Sequence, residues 1–290
     1  MGRKHAAHIR PNIKHRRCHR TYTRRAPTYA TAFNGWHVTL GEQYAADISP
    51  PPGGRCLDLA CGTGLVTFPL AKAVGQDGLV VGVDVTPAML DVARKREREE
   101  GWGRVEFVEG DIADLSEVEP VQDVVRESGF DVISCCSALV LLADPAAAIK
   151  HWADMLKKGG KLITDVPTET HTLQYLFSWE LRRAMGLQNE FDRSWVENIH
   201  SLEKLCADAG LIVNKSWKTA SQGGEGEEYR LEDGEEVFEQ NVKKYSDFMD
   251  LEKLDETRQK FLEMWRRECQ RSDGVFKDGH WLYMTIAKKP

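Results

Sequence analysis

Along the first half of the chain, short apolar runs alternate with stretches whose apolar residues recur at helical spacing. The runs are Arg55–Ala60, Leu79–Asp84, Val105–Ile112, Phe130–Cys136 and Lys161–Val166. Each is short and largely aliphatic, the pattern of a strand buried on both faces. Between them Leu65–Val74, Ala88–Glu100, residues 117–128 and Pro145–Leu156 fit helices. Thr86-Pro87 supplies a cap and a proline at a helix start, while Pro69 requires a shifted start or a kink. Upstream, Tyr29, Phe33, Trp36, Leu40 and Tyr44 keep a helical period, predicting a helix over 29–44 that Pro50-Pro51-Pro52-Gly53-Gly54 stops. Strand–helix alternation predicts an α/β chain with a doubly wound sheet, helices on both faces, and a ligand at the carboxyl ends of the strands.

The first strand leads straight into Ala60-Cys61-Gly62-Thr63-Gly64 and then a helix. Strand, glycine turn and helix together aim backbone N–H groups and a positive helix end at a nucleotide-like ligand. Gly62 and Gly64 fit the turn and a close ligand approach. Asp58 stands where a strand enters the cleft, a costly place for a carboxylate unless something uses it. Asp84 ends the second strand about twenty residues further on, the spacing at which such folds place an acid on ribose hydroxyls. A nicotinamide fingerprint needs a third glycine where this chain has Thr67.

Leu57-Asp58-Leu59-Ala60-Cys61-Gly62-Thr63-Gly64 resembles motif I of the class I S-adenosylmethionine-dependent methyltransferases, with Ala60 where many members carry glycine. Lys158-Gly159-Gly160 before the fifth strand is similar to another hallmark of the family, in particular of its ubiquinone/menaquinone-biosynthesis type. The resemblance implies a Rossmann-like seven-stranded sheet with the last strand antiparallel, Leu211–Trp217 and Trp281–Lys288 supplying the final two strands. It implies S-adenosyl-L-methionine as cofactor, held by Asp58, Ala60, Gly62, Thr63, Gly64, Asp84, Val85, Met89 and Cys136. Asp111 would receive the adenine amine, with Ile112 beside the ring. The helix before motif I would lie across the cleft, bringing Tyr29, Phe33 and Trp36 toward an acceptor. No Asn/Asp-Pro-Pro-Tyr/Phe block and no Pro-Cys nucleophile follows the fourth strand, which disfavours nucleic-acid bases as substrates. The implied chemistry is in-line methyl transfer to an oxygen, nitrogen or carbon of a small molecule. The alternatives are a cofactor-binding protein without methyl transfer (a ring-forming catalyst or partner subunit) and a protein or RNA methyltransferase.

Composition changes this picture at one end only. Residues 1–41 hold no acid and nine Arg or Lys, although the 290-residue chain carries a net charge of −6. The body is therefore strongly acidic, which argues against nucleic acid as its partner. Residues 1–26 read as a basic disordered tail ahead of a 27–290 catalytic domain, and its removal is expected to spare catalysis. Seven scattered cysteines form neither a disulfide framework nor a metal spacing. No apolar run reaches the roughly twenty residues of a membrane span. The expected location is cytoplasmic, or mitochondrial or nuclear if the tail is a signal; oligomeric state is left open.

Two insertions, about 168–199 and 220–278, read as helical caps. In the first, His171, Tyr175 and Trp179 recur every four residues on one helical face. Aromatic walls with one titratable group suit a flat acceptor whose proton must leave. His171 is thus a candidate base, with His37 and His200 as rivals.

Overall fold

The computed structural model describes residues 13–31, 35–101, 103–168, 172–187, 189, 193–220, 226–244 and 251–290. In chain order the elements are α1 (Ile13–Arg25), α2 (Trp36–Ile48), β1 (Arg55–Leu59), α3 (Thr67–Val74), β2 (Leu79–Asp84), α4 (Pro87–Glu100) and β3 (Arg104–Glu109). Next come α5 (Glu119–Glu127), β4 (Phe130–Cys135), α6 (Pro145–Met155), β5 (Leu156–Pro167), α7 (Leu173–Tyr175) and α8 (Leu181–Ala184). The remainder is α9 (Ile199–Asp208), β6 (Ile212–Lys218), β7 (Glu227–Arg230), α10 (Gly234–Val242), α11 (Leu254–Arg271), β8 (Val275–Asp278) and β9 (Leu282–Lys288). The main sheet has seven strands in the order β3-β2-β1-β4-β5-β9-β6. β1 is parallel to β2 and β4, and β2 to β3. β9, the last strand of the chain, runs antiparallel to β5 and β6. This is the doubly wound, Rossmann-like topology expected from the alternation of runs.

The chain divides into two compact bodies, residues 1–136 with 155–160, and residues 137–154 with 161–290. In the first, Cys56, Leu57, Leu59, Val80, Val81 and Val83 have no exposed surface, as strands covered on both faces require. The register pairs Leu59 with Val83 and with Cys135, and Asp84 with Glu109. The loops after β1, β2, β3 and β4 therefore leave from one edge. β1 is where the strand order reverses, and the crevice at such a reversal is where these folds hold ligands.

α3 begins at Thr67, so Pro69 falls in its first turn, where its missing N–H costs nothing. α2 begins at Trp36, after Gly35 in a left-handed conformation, and not at Tyr29, which sits in the turn that follows Ala26–Thr28. Residues 13–25 are helical where a disordered tail is expected; α1 packs along α4, and its last turn is held by Tyr22 and Arg25 against Tyr29. Lys158-Gly159-Gly160 lies within β5 and does not terminate the preceding helix, which ends at Met155. A Cβ at Gly160 would stand 2.6 Å from the Phe130 carbonyl oxygen, so glycine lets β5 begin directly after the helix.

In the second body the two insertions share a core. Leu173, Leu176, Phe177 and Leu181 from the first pack with Val237, Phe238, Phe261, Met264 and Trp265 from the second. Phe177 and Phe261 stack with ring centroids 4.6 Å apart. The second insertion holds two helices, α10 and α11, and its β7 and β8, which flank them, pair antiparallel in a separate two-stranded sheet. Among the described residues no helix is long and apolar enough to cross a membrane.

α2 lies so close to the start of the β1–α3 crossover that a Cβ on Gly41 would overlap the Leu65 carbonyl group. Tyr44, fully buried, donates a hydrogen bond to the Cys135 carbonyl and fixes α2 to the end of β4. Gly41→Ala is expected to destabilise the protein by about 3 kcal/mol or more, since backbone cannot step aside as a side chain can. Urea unfolding checks this; a change under about 0.5 kcal/mol would show that α2 is free to shift.

Candidate functional site

The β1–α3 turn is built from strained backbone. Ala60, Gly62 and Gly64 have φ of 53°, 55° and 84°. Ala60 tolerates a left-handed conformation that costs a non-glycine residue roughly 1–2 kcal/mol. The two glycines serve different ends. At Gly64 a Cβ would meet the Phe68 ring at 2.6 Å, so this glycine answers to packing of the helix beneath it. At Gly62 a Cβ would come no closer than 4.0 Å to anything, the nearest atoms being Ala60 O and Met89 Cε. The space above Gly62 is a cradle.

Asp84 holds that cradle. Its Oδ2 accepts the Gly62 N–H at 2.9 Å and its Oδ1 accepts the Thr86 N–H at 2.7 Å. Burial still raises its pKa, against the lowering effect of both N–H groups. Beside it Thr63 is 1% exposed, and its hydroxyl has no hydrogen-bond partner among the described residues. Buried polar groups are almost always satisfied, so an orphan beside the cradle fits a site that a bound molecule would complete. Asp111 is half-buried after β3, where its Oδ1 accepts the Ala113 N–H; Ile112 is buried beside it. The Gly110 N–H bonds the Asp84 carbonyl at 3.1 Å, which brings the ends of β2 and β3 together. Val85 and Cys136 are half-buried at the ends of β2 and β4, and Met89 is buried at the start of α4.

Asp58 lies deeper, under the turn. Its carboxylate is 1% exposed and receives the Thr67 hydroxyl at 2.6 Å and the Ser134 hydroxyl at 2.8 Å. Those bonds cross-brace β1, β4 and α3 beneath the turn, so Asp58 supports the site from below. Arg96, which sequence reasoning missed, does the same from α4: its guanidinium donates to the Thr63 carbonyl at 2.9 Å and lies over the Phe68 ring.

In the N-terminal arm, Tyr29 stacks on His37 with centroids 4.5 Å apart and planes 11° from parallel, and Trp36 tilts against the same imidazole. Burial pushes the Tyr29 phenol up; its charged form is further disfavoured by Tyr22, Cys136 and Asp84. The arm therefore stands beside the cradle, with Arg25 over both Tyr22 and Tyr29. Phe33 lies outside the described residues.

Of the three candidate bases, His37 and His200 lie among the described residues. Burial, reinforced by Arg25, lowers His37 to about 4, which leaves a weak base at neutral pH. His200 is on the surface at the start of α9, its Nδ1 2.6 Å from Glu203 Oε2. His171 lies outside the described residues. In the second body Tyr175 and Trp179 are brought together as expected, their rings stacked at 5.1 Å. The helix carrying them contains a π-helical turn, Leu176–Glu180, a feature frequent at functional sites.

Asp58 ties stability to pH. Burial lifts its pKa from the usual 3.8 to about 6 despite the two hydroxyl bonds. Because the folded value lies above the unfolded one, protonation favours the folded protein. This contribution is present below about pH 3.8 and is lost as pH rises through 6, a total of about 3 kcal/mol. Asn keeps both bonds, its amide oxygen accepting from one hydroxyl and its amide nitrogen donating to the other. Asp58→Asn is expected to flatten the fall in stability between pH 4 and 6 seen in the parent. Melting curves across that range check it, and parallel profiles refute it.

Residues 51–233, more than half of the chain, match the family model described as a methyltransferase domain. An aklanonic acid methyltransferase of Streptomyces sp. (strain C5) is 33% identical over 122 residues, 42% of this chain and 52% of that protein. A ubiquinone biosynthesis O-methyltransferase of Xanthomonas axonopodis pv. citri is 32% identical over 130 residues, 44% of this chain and 49% of that protein. The chain thus spans about half the length of these curated relatives. Among solved structures the [4+2]-cyclase SpnF shares the fold, with a TM-score of 0.53, 19% identity, and coverage of 87% of this chain and 81% of that one. With the braced glycine turn, Asp84 beneath it and the strand order of the sheet, these matches establish that the chain belongs to the methyltransferase domain family, in the class I S-adenosylmethionine-dependent group.

Proposed function

We propose that the chain binds S-adenosylmethionine at the Gly62–Gly64 turn and transfers its methyl group to an oxygen, nitrogen or carbon nucleophile of a small molecule. The observation that carries this reading is the cradle itself: open space over Gly62, an orphaned buried hydroxyl at Thr63, and a buried carboxylate at Asp84. When bound, the cofactor supplies a methyl group already activated by a positive sulfonium. The chain's own task is then to hold and orient, and orientation is worth up to roughly 7–11 kcal/mol of a barrier.

Each oxygen of Asp84 accepts one backbone N–H and keeps a lone pair, which suits the two hydroxyls of a ribose. Asp111 presents an acceptor for the adenine amine, and Ile112 an apolar wall. The Thr63 hydroxyl gains its missing partner from the ligand. With His37 lowered to about 4 and His200 at the surface, this reading assigns no protein base, and the acceptor is one that reacts once aligned. The names of the curated relatives favour a small-molecule acceptor. The fold shared with a [4+2]-cyclase keeps ring formation as the second reading, since fold alone does not set activity. Formation of S-adenosylhomocysteine from a filtered small-molecule extract separates the two.

Asp84→Asn is expected to weaken S-adenosylmethionine binding ten- to a hundredfold, the loss of about 1.5–3 kcal/mol in charge-assisted bonds. Calorimetry on the folded variant decides it; unchanged affinity sinks the assignment. The N-terminal arm generates a separate expectation, opposite to that drawn from composition. Removing residues 1–25 strips Tyr22 and Arg25 from Tyr29, so donor affinity should fall several-fold. Equal affinity with and without the arm would return it to the status of a dispensable tail.

A further inference from the structure

α4 turns one face toward the glycine loop. Met89, Ala93 and Arg96 follow one another at the i, i+4, i+7 spacing of a single helical face, and the first two are buried. Met89 Cε borders the open space over Gly62, and Arg96, further along the same face, reaches the next residue of the loop, Thr63.

Arg96 is restrained at three points. Its Nη1 donates to the Thr63 carbonyl at 2.9 Å, its Nε donates to Glu100 Oε1 at 3.4 Å, and its guanidinium carbon sits 4.7 Å from the Phe68 ring centroid. Phe68 is itself fixed, 1% exposed beneath Gly64, with Phe107 edge-on to it. A planar guanidinium stacked on a ring and bonded along its edge keeps one orientation, which a lysine ammonium does not match.

What it holds is the loosest part of the loop. Thr63 stands between two glycines with φ of 55° and 84°, and glycine lets an adjoining peptide plane turn over at little cost. The Thr63–Gly64 peptide is instead fixed at both ends. Its N–H donates to the Cys61 carbonyl at 2.9 Å, and its carbonyl receives Arg96. On the other side of Thr63, Asp84 fixes the Cys61–Gly62 peptide through the Gly62 N–H. The two clamps bracket Thr63 and set the direction in which its side chain leaves the backbone. That side chain carries the buried hydroxyl without a partner among the described residues.

We infer that Arg96 is a positioning residue for the donor: it fixes the Thr63–Gly64 peptide so that the Thr63 hydroxyl meets a polar group of S-adenosylmethionine. The inference rests on the donor-binding reading above and adds to it a residue on another element, which acts through Thr63 without touching the donor. An Arg96 that only stabilised the fold would affect donor binding whether or not the hydroxyl is present. The two roles therefore differ in how substitutions at the two positions combine.

Calorimetric titration of the full chain with S-adenosylmethionine, run as a double-variant cycle, separates them. Thr63→Val keeps the shape and removes the hydroxyl, and should weaken binding roughly three- to tenfold, the worth of one hydrogen bond. Arg96→Met keeps an apolar stem over Phe68 and should cost a similar factor. Once the hydroxyl is gone Arg96 has nothing left to position, so the double variant should bind within about twofold of Thr63→Val alone. Arg96→Lys keeps a donor for the carbonyl but not the stacked plane. It should lose less than Arg96→Met, and it takes that variant's place in the cycle if Arg96→Met fails to fold. Costs that multiply in the double variant would overturn the inference and leave the broader reading intact. So would an affinity left unchanged by Thr63→Val or by the Arg96 substitution used. Failure of the broader reading looks different: the wild type binds neither S-adenosylmethionine nor S-adenosylhomocysteine, and both readings fall together.

Discussion

The hydrogen bond from the Gly62 N–H to Asp84 is the constraint around which the first body is arranged. It joins the turn after β1 to the end of β2, and the second oxygen of the same carboxylate joins the start of α4 through Thr86. A carboxylate taken out of water costs several kcal/mol, and two backbone N–H bonds to a charged acceptor return roughly 1.5–3 kcal/mol each. The two terms are of similar size. The carboxylate therefore adds little net stability, and what it contributes is geometry: with both oxygens committed, the turn cannot relax from its left-handed backbone. Asp58, one strand away, braces the same turn from below through Thr67 and Ser134. Two buried acids beneath one glycine loop are tolerable because each is met by two donors.

What was legible in the sequence was local. The five apolar runs, the glycine turn, and the acids at Asp84 and Asp111 are all defined by neighbours within a few residues or by fixed spacing along one crossover. The role of Asp58 was not legible, because one of its partners, Ser134, lies on a strand 76 residues away. Arg96 reads as one charge among many on an exposed helix, and only the fold brings it to the Thr63 carbonyl. Gly41 carries no motif; its need for hydrogen in place of a side chain comes from Leu65, on a different element. The helix over residues 13–25 was not legible, because charge density hides the contacts of its last turn, Tyr22 and Arg25 on Tyr29.

The cap shows the limit from the other direction. Two insertions separated by α9 and β6 meet in one core, where Phe177 of the first clusters with Phe238 and Phe261 of the second. Neither segment has enough apolar surface to close a core alone, so each completes the other. The β7–β8 pair was invisible because Glu227-Glu228-Tyr229-Arg230 lacks any apolar alternation and its partner strand lies beyond α10 and α11; Tyr229 packs edge-on to Trp265 of α11. By contrast the Tyr175–Trp179 stack was legible, since residues four apart on a helix are neighbours and a π-helical turn leaves them so.

These placements divide the chain by what holds it. The residues proposed to hold the donor all belong to the first body: the turn after β1, the ends of β2, β3 and β4, and the arm. The second body is held differently: Leu173, Leu176, Phe177 and Leu181 of the first insertion lie in the apolar core they share with the second. In physical terms the glycine turn is held by hydrogen bonds to buried charge, while the cap is held by side-chain packing, where substitution is cheaper.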